Sequence, residues 1–117
     1  MSQPKTTESE DVYWIGFDLG GTKMLATVFN NQFKKVGRAR KKTKGWDGMK
    51  AGLLRINTVI RDAIDNAGIS AKQVGGLGIG CPGPLHLNKR KIRTAPNLGW
   101  DDVPVAASIE KEFKFPV

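Results

Sequence analysis

A chain of 117 residues with 39% hydrophobic content holds one domain with one packed core, and it excludes several independent cores within this stretch. The single cysteine, Cys81, excludes an intrachain disulfide; with no apolar signal region and no apolar run of membrane-spanning length, a reducing, cytoplasmic setting is expected. The formal charge of +8 raises nucleic acid as a partner, but the excess lies in two runs, Lys34 to Lys44 and Lys89 to Arg93, without interleaved aromatics for base stacking, so a solvated face is expected instead.

In chain order the pattern reads β–β–β–α–β–hairpin–α. Residues 1–11 are polar and charged and are expected to form a disordered leader. The apolar run 13–18 reads as a strand, with a returning strand over 23–29, a turn at Asn30-Asn31 and a third strand over 35–42. On that third strand Val36, Arg38, Arg40 and Lys42 share one side. Long basic side chains suit an exposed edge, where they deter edge-to-edge association.

Asp47 is placed to cap a helix over 48–67. Leu53, Ile56, Ile60, Ala63, Ile64 and Ala67 recur there at helical spacing and read as core, and Gly68 closes the helix. Ser70 to Gln73 fits a capping box. Residues 76–80 read as a buried strand whose alternate glycines, Gly76, Gly78 and Gly80, strip one face of side chains. The rigid loop Cys81-Pro82-Gly83-Pro84 follows, then a hairpin tipped by the second basic run. Asp102 or Val103 is expected to cap a last helix opening at Pro104, with Val105, Ile109 and Phe113 facing inward.

The chemistry is concentrated in Asp18-Leu19-Gly20-Gly21-Thr22-Lys23, between the first two strands. The glycines let backbone N–H groups approach an anion closely, while Thr22 supplies a donor and Lys23 a charge. Asp18 is placed to hold magnesium through water, because hard cations prefer carboxylate oxygen. The segment is not a Walker A loop, since it leads into a strand and not a helix. Taken alone, two glycines between apolar runs more often form a plain hairpin turn. Cys81 and the only histidine, His86, have no evident orienting partner, so a loop-lining thiol fits better than a nucleophile.

Three segments read together say more. Asp18 to Lys23, then Gly78-Ile79-Gly80-Cys81-Pro82-Gly83-Pro84, then Ala95-Pro96-Asn97-Leu98-Gly99-Trp100 resemble the ROK family of bacterial sugar kinases and sugar-responsive repressors. The resemblance covers about residues 12–117. It implies an α/β, ribonuclease-H-like (actin-like ATPase) N-terminal lobe with a mixed sheet and helices, incomplete because the second lobe would follow. It also implies ATP-dependent phosphorylation of a hexose hydroxyl, with glucose favoured. Asp18 would position magnesium, Gly20, Gly21, Thr22 and Lys23 would contact the phosphates, and Pro82, Gly83, Pro84 and Asn97 would border the sugar. Asn97 reads equally well as a turn residue after Pro96, and Trp100 either shields the site or packs.

The family's kinases remove the hydroxyl proton with an aspartate in an Asn-Asp motif on the next strand, and their zinc motif lies further on. Both are expected beyond Val117, so this chain alone is expected to be inactive; Asp101 and Asp102 read as surface and capping residues. The family also implies a homodimer at full length. His86 stands where the family usually has aspartate, and the run Asn88-Lys89-Arg90-Lys91 replaces the usual hairpin glycine, which unsettles the sugar side. The repressor branch carries a helix-turn-helix ahead of this lobe. Seventeen residues precede Asp18, too few for it, so the kinase branch leads. A non-catalytic basic binding module is the remaining alternative, and polyphosphate an alternative donor; no membrane partner is expected.

Overall fold

Strand β1 (Tyr13–Leu19) is the axis of the main sheet, with an antiparallel neighbour on one side and a parallel neighbour on the other. The computed structural model describes residues 11–20, 22–44, 47–80, 85–86, 91–95 and 100–117. β1 pairs with β2 (Lys23–Phe29), which pairs with β3 (Lys35–Lys42), and β4 (Val74–Gly80) lies parallel to β1, giving the order β3-β2-β1-β4. The three leading strands match the sequence expectation to within one residue; β4 begins two residues earlier than expected. β3 is an edge strand of this sheet, and its Val36, Arg38, Arg40 and Lys42 are exposed.

The period-two pattern divides the sheet into two unlike faces. Ile15, Phe17 and Leu19 of β1, with Met24, Ala26 and Val28 of β2 and Leu77 of β4, are buried under two helices. Helix α1 (Met49–Ala67) contributes Ile56, Val59, Ile60, Ala63 and Ile64, and helix α2 (Val105–Phe113) contributes Val105, Ile109 and Phe113. Val59 completes the stripe that the sequence reading left one residue short. Arg61 of α1 pairs with Glu112 of α2 and lies over the Phe113 ring, 5.0 Å from its centroid, joining the two helices at their rim.

The termini of α1 correct one expectation and bear out another. Asp47 does not cap the helix: Gly48 occupies that position with no side-chain cap, and the Asp47 carboxylate instead lies 3.0 Å from Nη2 of Arg55. An arginine two turns into the helix supplies the carboxylate with a charge-assisted partner. Gly68 closes the helix in the left-handed conformation, φ 71°, its N–H donating to Asp65 O and that of Ile69 to Ile64 O. The capping box over Ser70 to Gln73 is present, both reciprocal bonds included. Replacing Asp47 with alanine is expected to lower stability by only about 0.2–1 kcal/mol, because the pair is partly exposed. Thermal melts in low and high salt check this, and the difference should shrink as salt rises.

A second, smaller sheet orders β5 (Leu85–His86), β6 (Lys91–Ala95) and β7 (Trp100–Val103), all antiparallel. β7 was not foreseen, and it removes Asp102 and Val103 as helix caps. Their backbone belongs to a strand paired with β6, and Pro104 stands at the start of α2 with no side-chain cap. A four-residue strand that pairs with a hairpin formed just before it leaves little periodicity to read. The basic hairpin tip lies mostly outside the described residues. After α2 the chain turns back to β4, where Leu77 donates its N–H to Pro116 O at 2.9 Å.

Candidate functional site

The turn after β1 is closed by one short backbone bond, from Gly20 N–H to Lys23 O at 2.9 Å. A Cβ on Gly20 would sit 2.7 Å from that same oxygen, so the tight approach requires glycine. Gly21 lies outside the described residues. Thr22 and Lys23 are exposed, at the carboxyl end of β1 where ligands gather in open α/β sheets.

Behind the turn sits Thr43, the one buried polar side chain among the described residues. Its Oγ1 donates to Gly20 O at 2.8 Å and its N–H to Thr22 O at 2.8 Å. Its own carbonyl accepts from Nη1 of Arg55 at 2.7 Å. The sequence reading passed over both Thr43 and Arg55. Thr43 stood inside a basic run, and nothing local marks a residue whose partners lie twenty positions away.

The turn is also strongly cationic. Lys23 faces Lys42 across the β2–β3 ladder, and Lys41, Lys42, Lys44 and Arg55 line a hollow of ≈ 260 Å³ beside it. Like charges placed directly opposite destabilise a bare sheet, so this end of the molecule favours an anion.

The face of the sheet away from the helices carries an open groove of ≈ 380 Å³, lined by Gly16, Phe17, Asp18, Leu25, Thr27, Gly78, Ile79 and Gly80. Registers explain it: Gly16 lies beside Gly78, and Asp18 beside Gly80, while Thr27 and Leu25 flank them on β2. The alternate glycines strip this face as the sequence implied. A Cβ on Gly78 would meet nothing within 4 Å. Asp18 is exposed at the turn end of the groove, and the neighbouring Gly80 offers no side chain to crowd it.

Among the described residues no group of three or more His, Cys, Asp or Glu side chains could hold a metal ion. A cation here would rest on the Asp18 carboxylate, water and ligand phosphates. That donor set suits magnesium, which keeps several waters and takes one or two carboxylates plus phosphate oxygens. The expected sugar-side residues Pro82, Gly83, Pro84 and Asn97 lie outside the described residues, as does Cys81. No helix among the described residues is long and apolar enough to cross a membrane.

Comparison with known proteins places this geometry. The model of the ROK family matches residues 14–117. A glucokinase of Halalkalibacterium halodurans is 32% identical over 111 residues, covering 92% of this chain and 32% of the relative. A xylose repressor of Caldicellulosiruptor bescii is 33% identical over 103 residues, 88% of this chain and 26% of the relative. In three dimensions, a ROK family glucokinase from Streptomyces griseus, solved in complex with glucose and AMPPNP, matches with a TM-score of 0.76 at 25% identity, over 90% of this chain and 31% of that one. The chain thus spans about a third of the length of the relatives it matches, and its fold is that of their N-terminal lobe, an actin-like ATPase mixed sheet.

Proposed function

The chain belongs to the ROK family, and on that premise we propose that residues 12–117 are the phosphate-binding lobe of an ATP-dependent hexose kinase, with residues 1–11 a leader outside it. The observation that carries this reading is the turn itself. It combines a tight glycine approach, a hydroxyl, a lysine and a surrounding cluster of cations at the carboxyl end of β1, beside an exposed carboxylate. Backbone N–H groups and Lys23 would hold the nucleotide phosphates, with Gly20, Gly21 and Thr22 forming the cradle. Asp18 would hold magnesium, which neutralises phosphate charge when bound. Pro82, Gly83, Pro84 and Asn97 would border the sugar, for which glucose is the leading candidate. As the family resemblance implies, the general base would lie beyond Val117.

Binding of AMPPNP by the chain, followed by amide chemical shifts with and without magnesium, tests the reading. Saturable shifts at Gly20, Thr22 and Lys23 are expected, with shifts absent there counting against it. Asp18→Asn should lower the affinity for magnesium-AMPPNP by about tenfold or less, since a water-mediated charge contact is worth about 1.4 kcal/mol or less. Affinity for magnesium-free nucleotide should stay within twofold. Equal losses with and without magnesium would remove Asp18 from that role.

A second reading has its own support. The xylose repressor is as similar to this chain as the glucokinase is. A sugar-sensing lobe of a repressor would bind sugar and leave AMPPNP unbound, so the same titration repeated with glucose and xylose separates the two.

A further inference from the structure

We infer that Thr43 is a positioning residue: it clamps the Gly20–Lys23 turn in the shape that receives phosphate and ties that turn to helix α1. The inference rests on the reading of the turn as a phosphate cradle. Its evidence is separate from that reading. Thr43 is completely buried, and its hydroxyl, N–H and carbonyl are all engaged. A buried hydroxyl needs a partner, and Gly20 O can only accept, so the Thr43 hydroxyl must be the donor.

The two carbonyls it holds belong to residues 20 and 22, on either side of the glycine-rich centre of the turn. A trans peptide group points its N–H opposite its C=O. Drawing the Thr22 carbonyl toward Thr43 therefore faces the opposite edge of that peptide group, the Lys23 N–H, away from it. Carbonyl oxygens that repel an anion are held back, which fixes the donor side of the turn before any ligand arrives. Arg55 extends the clamp. Its Nη1 donates to Thr43 O, its Nη2 lies 3.0 Å from Asp47 Oδ2, and its backbone is part of α1. The chain of contacts runs from helix to buried threonine to turn, over sequence separations that no local motif spans.

The test compares Thr43→Val, which keeps the branched shape and loses the hydroxyl, with Thr43→Ser, which keeps the hydroxyl. Magnesium-AMPPNP affinity is measured by calorimetry on the 117-residue chain, beside hydrogen exchange at the Gly20 amide, which closes the turn, and across α1. Thr43→Val should bind at least tenfold more weakly and exchange faster at Gly20 with α1 unchanged, and Thr43→Ser should recover to within about threefold of the unaltered chain. Equal affinity in Thr43→Val, or a serine variant as weak as the valine one, overturns the inference. Should Thr43→Val fail to fold by circular dichroism, Arg55→Gln carries the test from the outer side of the clamp. Weaker binding together with faster exchange at Gly20 and folded α1 then supports the inference, and an unchanged exchange rate at Gly20 overturns it. If the unaltered chain binds no nucleotide, the phosphate reading falls. The clamp is then decided by exchange at Gly20 alone, and an unchanged rate in the valine variant defeats it.

Discussion

Gly37→Ala is expected to destabilise the chain by about 3 kcal/mol, the upper end of the usual cost of overpacking. A Cβ at this position would sit 2.6 Å from the Ala67 Cβ, 2.6 Å from Ala67 N and 2.7 Å from Ala67 Cα. Two of these three atoms are backbone, so no side-chain rotation relieves the clash. The last turn of α1 would have to lift off β3, which would also strain the bond from Arg38 N–H to Asn66 Oδ1 at 3.0 Å. Chemical denaturation of both proteins reads the loss as a lower midpoint at constant slope. A difference below about 0.5 kcal/mol, the range of neutral surface changes, would show that α1 does not press on β3 in this way. Adding Ala67→Gly should recover only part of the loss, because the backbone contacts remain; full recovery would mean that the methyl group alone was at fault.

Gly20→Ala should weaken magnesium-AMPPNP binding about 10- to 100-fold. The added Cβ meets Lys23 O at 2.7 Å, the oxygen that accepts the bond closing the turn. Relieving the contact opens the turn and displaces the amides that would face phosphate. An overpacking cost of about 1.4–2.8 kcal/mol, within the usual range and expressed in the bound state, converts to that range of affinity. Because the turn is exposed at its tip, much of the strain can be shed by local opening, so the melting temperature should fall less than in Gly37→Ala. Gly78→Ala serves as the stability control, since a Cβ there meets nothing within 4 Å in the same sheet. Unchanged nucleotide affinity in Gly20→Ala would remove the turn from the phosphate site, whatever its effect on folding.

Family membership turns these local effects into statements about a larger design. The relatives are about three times as long, and the groove beside Asp18 and Gly80 opens on the face that neither α1 nor α2 covers. The two helices and the core stabilise the sheet from one side only. The other face, where Gly16, Gly78 and Gly80 carry no side chains, holds the open groove. On the reading proposed above, ligand would meet the exposed turn and this open face, while Gly37 lies against α1 on the packed side. Gly37→Ala should therefore act mainly on stability and Gly20→Ala mainly on binding.

Much of this was legible in the sequence because it is written in local periodicity. Apolar runs located β1 and β2, the weak alternation of Val36, Arg38, Arg40 and Lys42 located β3, the recurrence of Ile56, Ile60, Ala63 and Ile64 located α1, and Gly68 marked its end. The order Asp18, Gly20, Gly21, Thr22, Lys23 pointed to an anion-binding turn, and its combination with the later Gly-Pro and Pro-Asn segments pointed to the family. Each of these signals depends on neighbours a few positions apart, where covalent geometry fixes which side chains share a face. Tertiary structure decided the rest. It gave Asp47 to Arg55 instead of to the helix terminus, pressed Gly37 against Ala67, drew Trp100 to Val103 into a strand, and made Thr43 the hidden support of the turn. These contacts join residues from 5 to 30 positions apart, and their energies depend on burial and approach that exist only once the elements have packed.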